Sequence, residues 1–404
     1  MAKKTTWIVI FFIILLSCNQ KSGLSLEKQQ KILDDMTVEA SIIYSKLQSR
    51  QGKSYLEFHD KYYDVKIKRI KTAIDDTKKF TLENKTEDEI RRMAYIAEIA
   101  KNEQLVVDTI KEDFRRFPES KTVDEVVLQY FNNAYLLEPS EVEKYVNFKM
   151  FSPGDELYCY AMLALGFSEN ANIRQAEIYF EKMNSHLETI ISNPAEKGHL
   201  PLLYIEGLRS YIAYKTGKKV EAYNILAKAE KEFSGEQEQN ALALFRKRLD
   251  ILGSDAPELE SRYWIGTEDK LNWAALKGKV VLLNFFTWDC DECNDDVPFL
   301  TRLLKEIKSK DFLLIGVTNF TGHYEHTEGI SEEAEYQYMK DHYYKKKKIQ
   351  WPVNMSRKSM DNYGIYSAPT YVLIDKAGRV QAGYFIFNFT CLRNKIRSLL
   401  KKTG

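Results

Sequence analysis

The chain has 404 residues, room for two or three domains, and its 44% apolar content is that of a globular protein. Its 59 basic and 58 acidic residues nearly cancel, to a net charge of +1, which excludes the large basic excess that a nucleic-acid partner requires. The five cysteines (Cys18, Cys159, Cys290, Cys293 and Cys391) are too irregularly spaced for a disulfide-stapled fold. Cys290 and Cys293 form a CxxC pair, but no second CxxC or CxxH exists to complete a zinc site. Neither a metal nor another cofactor is expected.

At the N-terminus, Lys3 and Lys4 precede an unbroken apolar run from Trp7 to Leu16. The run falls short of the ~20 residues that span a bilayer. A basic start and a short apolar core read as a secretory signal. It ends in Leu15-Leu16-Ser17-Cys18, which resembles a bacterial lipobox. That resemblance implies a signal peptide over residues 1–17 and acyl chains on Cys18, so that the protein is tethered to a membrane without spanning it. Asn19, in place of the Asp that marks inner-membrane retention, favours the outer membrane. Export puts the remaining cysteines on the periplasmic side of a cell envelope, where disulfides persist.

From Leu24 to Leu252 apolar residues recur at helical spacing, as in Ile32, Met36, Ile43, Leu47 and in Ile90, Met93, Ala97, Ala100. Breaks at 151–154 and 192–194 separate about eight to ten helices. Leu202–Phe233 reads as a helical hairpin with Gly217 in its turn and Ala222, Leu226 and Ala229 along one face. Leu157–Met183 is a looser copy, with Ala176 and Phe180. The pair resembles tetratricopeptide hairpins, although the copies are not the ~34 residues apart that this repeat requires. Such a helical region, residues 18–255 with a short tether, either offers a surface to a protein partner or braces the remainder off the membrane. Cys159 reads as core, and His186 and His199 as packing or surface residues.

Gly253-Ser254-Asp255-Ala256-Pro257 breaks the helical pattern and reads as a linker. Beyond it strands and helices alternate. Arg262–Gly266 is a short strand and Leu271–Leu276 a short helix. Val280–Phe286 is a strand buried on both faces, and a helix runs from Cys290 to about Lys308. Phe312–Thr318 is a second buried strand, and Ser331–Lys348 a charged helix whose terminal lysines are solvated. Thr370–Asp375 and Val380–Phe385 form a hairpin, and Thr390–Lys402 is a closing helix containing Cys391 in the core. The order β-α-β-α-β-β-α gives an α/β fold with helices on both faces of a mixed sheet. The loop 321–329, with His323, Glu325, His326 and Glu328, reads as polar rather than as a metal site.

The strand Val280–Phe286 delivers Cys290-Asp291-Glu292-Cys293 to a helix start. Unpaired N–H groups and the helix dipole stabilise a thiolate there, and the thiolate is the nucleophile. The entry Leu276–Phe286, the CxxC, Pro298 five residues after it, Ile349-Gln350-Trp351-Pro352-Val353, the run Tyr363–Thr370 and Leu373–Val380 follow one another in the order of a known family. Residues 256–404 thereby resemble the thioredoxin-like TlpA/ResA family of envelope thiol–disulfide oxidoreductases. The resemblance implies a thioredoxin-like fold, with Cys290 as attacking thiol and Cys293 as resolving thiol. It implies a cis-proline at Pro369, flanked by Ala368 and Thr370, against which an extended substrate pairs. It also implies an acid at Asp296 that takes the Cys293 proton, with Asp295 as its neighbour and competitor. Asn284 stands where thioredoxins carry a buried Asp. The family's usual Trp before the first Cys is replaced by Asp289. Trp288, one residue earlier, would then form a reshaped apolar lip of the substrate groove. Asp289, Asp291 and Glu292 surround Cys290 with negative charge, which disfavours its thiolate and points to a reducing protein.

The expected function is reduction of disulfides in exported proteins by a membrane-anchored oxidoreductase. Two alternatives remain open. Thr287, three residues before Cys290, matches a peroxiredoxin Thr-x-x-Cys, although the proline expected four residues earlier is Leu283. A non-enzymatic tethered protein that recruits a partner through its helices is the other.

Overall fold

The computed structural model describes residues 25–47, 52–192, 202–268, 270–324, 327–384 and 388–402. The lipobox with Cys18 lies outside the described residues, as do His199, Glu325 and His326. Among the described residues no helix is long and apolar enough to cross a membrane.

Up to Leu252 the described regular structure is helical: α1 Leu26–Leu47, α2 Gly52–Thr77, α3 Glu87–Ile99, α4 Glu103–Arg116, α5 Asp124–Ala134, α6 Pro139–Tyr145, α7 Pro153–Glu169, α8 Ile173–Ile191, α9 Leu202–Lys215, α10 Lys219–Glu232 and α11 Glu236–Ile251. Local sequence sets their starts. Thr86 and Glu89 form a reciprocal capping box at α3, and Ser152 caps α7 with Pro153 in its first turn. The two expected hairpins are formed by α7 with α8 and by α9 with α10. Gly217, at φ +87°, turns the second.

The remainder runs β1 Trp264–Ile265, α12 Trp273–Leu276, β2 Val280–Phe285, α13 Asp291–Ile307, β3 Phe312–Thr318, β4 His323–Tyr324, β5 Thr327–Glu328, α14 Glu332–Tyr338, β6 Val353–Met355, α15 Arg357–Asn362, β7 Thr370–Ile374, β8 Val380–Gly383 and α16 Phe389–Lys401. The main sheet has the order β1-β6-β3-β2-β7-β8. β2 is parallel to β3 and antiparallel to β7, with Asn284 opposite Tyr371. β2 and β7 are buried throughout, in keeping with their mainly apolar sequences. β6 and α15 are additions to the expected order. The charged helix has close to the expected extent, α14 continuing through a π-helical stretch over Met339–Tyr344 to Lys346.

The segment 253–257 is not a free linker. Gly253 N–H donates to Val380 O at 2.8 Å, Ala256 N–H donates to Gly378 O at 2.9 Å, and Asp255 bridges to Arg379. Nor do helices and sheet keep separate cores. On one sheet face Val280, Leu282, Leu314 and Tyr371 pack with residues of α13 and α16. On the other, Val281, Leu283, Phe285, Ile315 and Val372 belong to one apolar cluster with Phe131, Phe180, Tyr211 and Phe245 of the helical region.

Polar groups lock this seam. Glu103 of α4 accepts from Phe389 N–H at 2.9 Å and from Thr390 N–H and Oγ1 at 3.2 and 2.7 Å, which caps α16 from outside. Arg248 of α11 is buried and donates through Nε to Gly364 O at 2.6 Å. Gly364 has φ +64°, and a Cβ there would stand 2.4 Å from Leu244 O, so the close approach of α11 requires glycine.

Candidate active site

Cys290 is the N-cap of α13 and is only partly buried. Its Sγ accepts the Cys293 N–H at 3.1 Å, so a helix-terminal donor points at the sulfur that would carry charge. Cys293, one turn on, is 1% exposed and is joined to Cys290 by a disulfide with an S–S distance of 2.07 Å. Buried Asn294 fixes the turn by donating to Trp288 O at 3.0 Å and Cys290 O at 2.8 Å. Ala368–Pro369 is a cis peptide bond, as the family resemblance implied.

Asp296 lies one helical turn after Cys293, on the same face and buried like it. One carboxylate oxygen pairs with Lys101 Nζ, from the turn between α3 and α4, and the other accepts the Tyr371 hydroxyl. Burial raises its pKa above the usual aspartate range, and Lys101 and Tyr371 oppose that rise. Asp295 is raised by burial too, partly offset by Lys66 at 3.1 Å.

The acids flanking Cys290 do not stand alone, which changes the electrostatic expectation. Tyr62 and Tyr63 of α2 donate to Asp291 Oδ2 and Oδ1 at 2.9 and 2.5 Å, and Lys66 approaches Oδ2 at 3.8 Å. Burial and the Asp291 carboxylate push both phenols up, so both remain protonated donors. Asp289 faces His323 Nε2 at 3.6 Å. The charge on Asp291 is therefore hydrogen-bonded by two neutral phenols and partly offset by Lys66, which it shares with Asp295, so its penalty on a Cys290 thiolate is smaller than sequence proximity suggests.

Two expected groove residues are core residues instead. Trp288 is 2% exposed, with Nε1 donating to Thr321 Oγ1 at 3.2 Å and its ring edge-on to Tyr338, so it forms no lip. Thr370 is 1% exposed and its hydroxyl is spent on Ser367 O at 2.6 Å. Both are drawn inward because β2 and β7, to which they attach, are buried on both faces. Ala368 stays partly exposed and lines a cleft of about 400 Å³ with Thr287, Asn319 and Tyr366. The opposite wall is Gln237, Asn240 and Leu244 of α11. A larger cleft, about 640 Å³, runs between α2 and α13 past Lys71, Thr301 and Lys305, without reaching either cysteine. Cys159 and Cys391 are buried, and burial pushes both thiols up to about 12, which keeps them unreactive. Among the described residues no group of three or more His, Cys, Asp or Glu side chains is arranged to hold a metal ion.

Sequence reading missed Lys101, Lys66, Tyr62, Tyr63 and Asn294. Their signal was weak: a Tyr-Tyr pair one turn before a lysine on a charged helix, and an Ala-Lys-Asn turn without glycine.

The AhpC/TSA family matches residues 252–382. The thioredoxin-like protein YneN of Bacillus subtilis is 28% identical over 130 residues, 32% of this chain and 68% of that protein. The thiol-disulfide oxidoreductase ResA of the same organism is 30% identical over 131 residues, 32% of this chain and 64% of that protein. Among solved structures, a thiol-disulfide isomerase from Corynebacterium glutamicum is 26% identical and covers 37% of this chain and 98% of its own, with a TM-score of 0.29.

Proposed function

We propose that the C-terminal region, a thioredoxin-like domain of the ResA kind, exchanges thiols and disulfides through Cys290 and Cys293. We further propose that the chain does so on the periplasmic side of a bacterial envelope, tethered by lipid on Cys18, and that it reduces disulfides of exported proteins. The lipobox-like Leu15-Leu16-Ser17-Cys18 supports the tether.

The observation that carries the reading is the placement of the pair: a partly exposed sulfur capping a helix, bonded to a buried sulfur one turn on, with a buried acid one turn beyond. In the reductive direction the Cys290 thiolate attacks a substrate disulfide. A mixed disulfide forms and one substrate thiolate leaves. Cys293 then loses its proton to Asp296 and attacks Cys290 Sγ. The Cys290–Cys293 bond forms, the mixed disulfide breaks, and the second substrate sulfur leaves as a thiolate. Two electrons pass to the substrate, and a donor dithiol restores the pair. In this reading an extended segment of substrate lies along Ala368, in a cleft lined by Thr287 and α11 and by neither cysteine.

The test is a trap. In Cys293→Ser the mixed disulfide cannot resolve, so substrate proteins accumulate on Cys290 in the native cell. If no adduct forms, and Cys290→Ser leaves disulfide reduction by the purified protein intact, the reading fails. A thiol peroxidase is favoured by one observation, Thr287 in the cleft three residues before Cys290. Peroxide consumption that survives Cys293→Ser and is lost in Cys290→Ser would select it.

A further inference from the structure

We infer that Lys101, from the helical region, is a positioning residue for the redox chemistry: it holds Asp296 ready to accept the Cys293 proton. The inference rests on the exchange reading above.

The turn that carries Lys101 is built into the site. It joins α3 to α4, with Asn102 capping α4. Lys101 has φ +43°, a left-handed conformation that glycine takes freely and a lysine takes at some cost. A glycine would ease the turn and remove the cation. The turn is docked on the redox helix, since Arg302 of α13 donates to Ala100 O at 3.3 Å and to Lys101 O at 3.2 Å. From there the ammonium passes 5.0 Å from the Phe299 ring centroid and 5.3 Å from that of Phe389 to reach Asp296. The two rings flank its path, while about a third of the side chain stays exposed.

The groups that face Asp296 come from each element packed on it. They are Lys101 from the turn, Tyr371 from β7, Tyr343 from the π-helical turn, and Glu292 and Cys293 on its own helix. Lys101 alone among these is a cation. Burial drives the Asp296 carboxyl towards its protonated form, and a protonated acid cannot take a proton from Cys293. Lys101 opposes that drive. The helical region thereby supplies a charge that the sheet region lacks at its own site.

The experiment uses the reduced full-length protein and 5,5′-dithiobis(2-nitrobenzoate). The Cys290 thiolate attacks the reagent, forms a mixed disulfide and releases one thionitrobenzoate. Cys293 passes its proton to Asp296 and attacks Cys290 Sγ, which forms the Cys290–Cys293 bond and expels the second thionitrobenzoate. Lys101→Met should leave the first release unchanged. It should slow the second about tenfold at pH 7 and move its pH midpoint upward, because Asp296 then loses its proton only at higher pH. Lys101→Arg should restore both rate and midpoint. In an Asp296→Asn background, Lys101→Met should have no further effect on the second release. An unchanged pH profile in Lys101→Met, or additive losses in the double variant, overturns the inference. Absence of any second release in the unmodified protein instead overturns the exchange reading beneath it.

Discussion

Of the buried carboxylates that bind the helical region to the sheet region, Glu169 and Asp296 are shifted in opposite directions. At the end of α7, burial would raise Glu169, but Lys215 at 3.4 Å, Lys395 at 2.9 Å and the Tyr211 hydroxyl at 2.7 Å more than reverse that, and its carboxyl lies below the usual glutamate range. At the redox helix, Asp296 has a tyrosine too but a single lysine, and burial prevails. On the proposed mechanism, that difference of one cation separates a strut from a proton acceptor. Glu169 stays ionised and ties α7 and α9 to α16. Asp296, raised by burial, lies one turn from the thiol that loses its proton in the proposed exchange.

Breaking the strut should have the largest effect. Glu169→Ala leaves two lysines and a tyrosine facing an empty site, and should cost about 3–5 kcal/mol in urea unfolding. Exchange by the protein that remains folded should be unaffected, and a cost below about 1 kcal/mol would remove the contrast. Asp296→Asn should do the reverse. Resolution of the mixed disulfide should slow about 100-fold, while stability stays within about 1 kcal/mol, since a carboxyl raised by burial contributes no stability at neutral pH. A loss of stability comparable to that of Glu169→Ala would make Asp296 a second strut.

At the close approach of α11, Gly364→Ala should destabilise by about 2 kcal/mol, because φ +64° and the Leu244 carbonyl leave its methyl no room. Acid unfolding sharpens the comparison further. The depressed Glu169 contributes stability that is present above the unfolded glutamate value of about 4.3 and is lost as pH falls through the folded value. Glu169→Gln should therefore flatten that part of the stability–pH curve, and Asp296→Asn should not. The smallest effect is expected at α2. Lys66→Met should change stability by about 0.5 kcal/mol, because its ion pairs are partly solvated. It should nonetheless slow alkylation of Cys290 at neutral pH, by leaving more of the Asp291 charge beside the sulfur.

How far the molecule could be read from its residues follows from the range of each signal. β2, β3 and β7 are continuous apolar runs, and α13 begins at a cysteine pair with an apolar stripe behind it, so periodicity and local chemistry reveal them. β6 is three residues following Trp351-Pro352 and carries no period to detect. The Gly253–Pro257 break has the composition of a linker, and its pairing with the β8 hairpin is a long-range fact. Cys290, Cys293 and the cis-proline were legible because their motifs are local or ordered along the chain. Lys101 lies 195 residues before Asp296, and Tyr63 lies 228 before Asp291. On an amphipathic helix such residues look like any solvated face, and only the packing of α2 and the Lys101 turn on α13 makes them part of the site. Trp288 was misread for a related reason: its burial depends on Thr321 and Tyr338, brought in by elements far along the chain.

The central claim, that Cys290 and Cys293 form a working redox couple, is tested most directly by equilibrating the full-length protein with glutathione buffers and counting the free thiols at these two positions. The expected result is a single two-electron transition, both thiols disappearing together within the range that glutathione controls. A disulfide that persists in the most reducing buffer, with a potential below about −300 mV, would make the pair a structural staple and contradict the account.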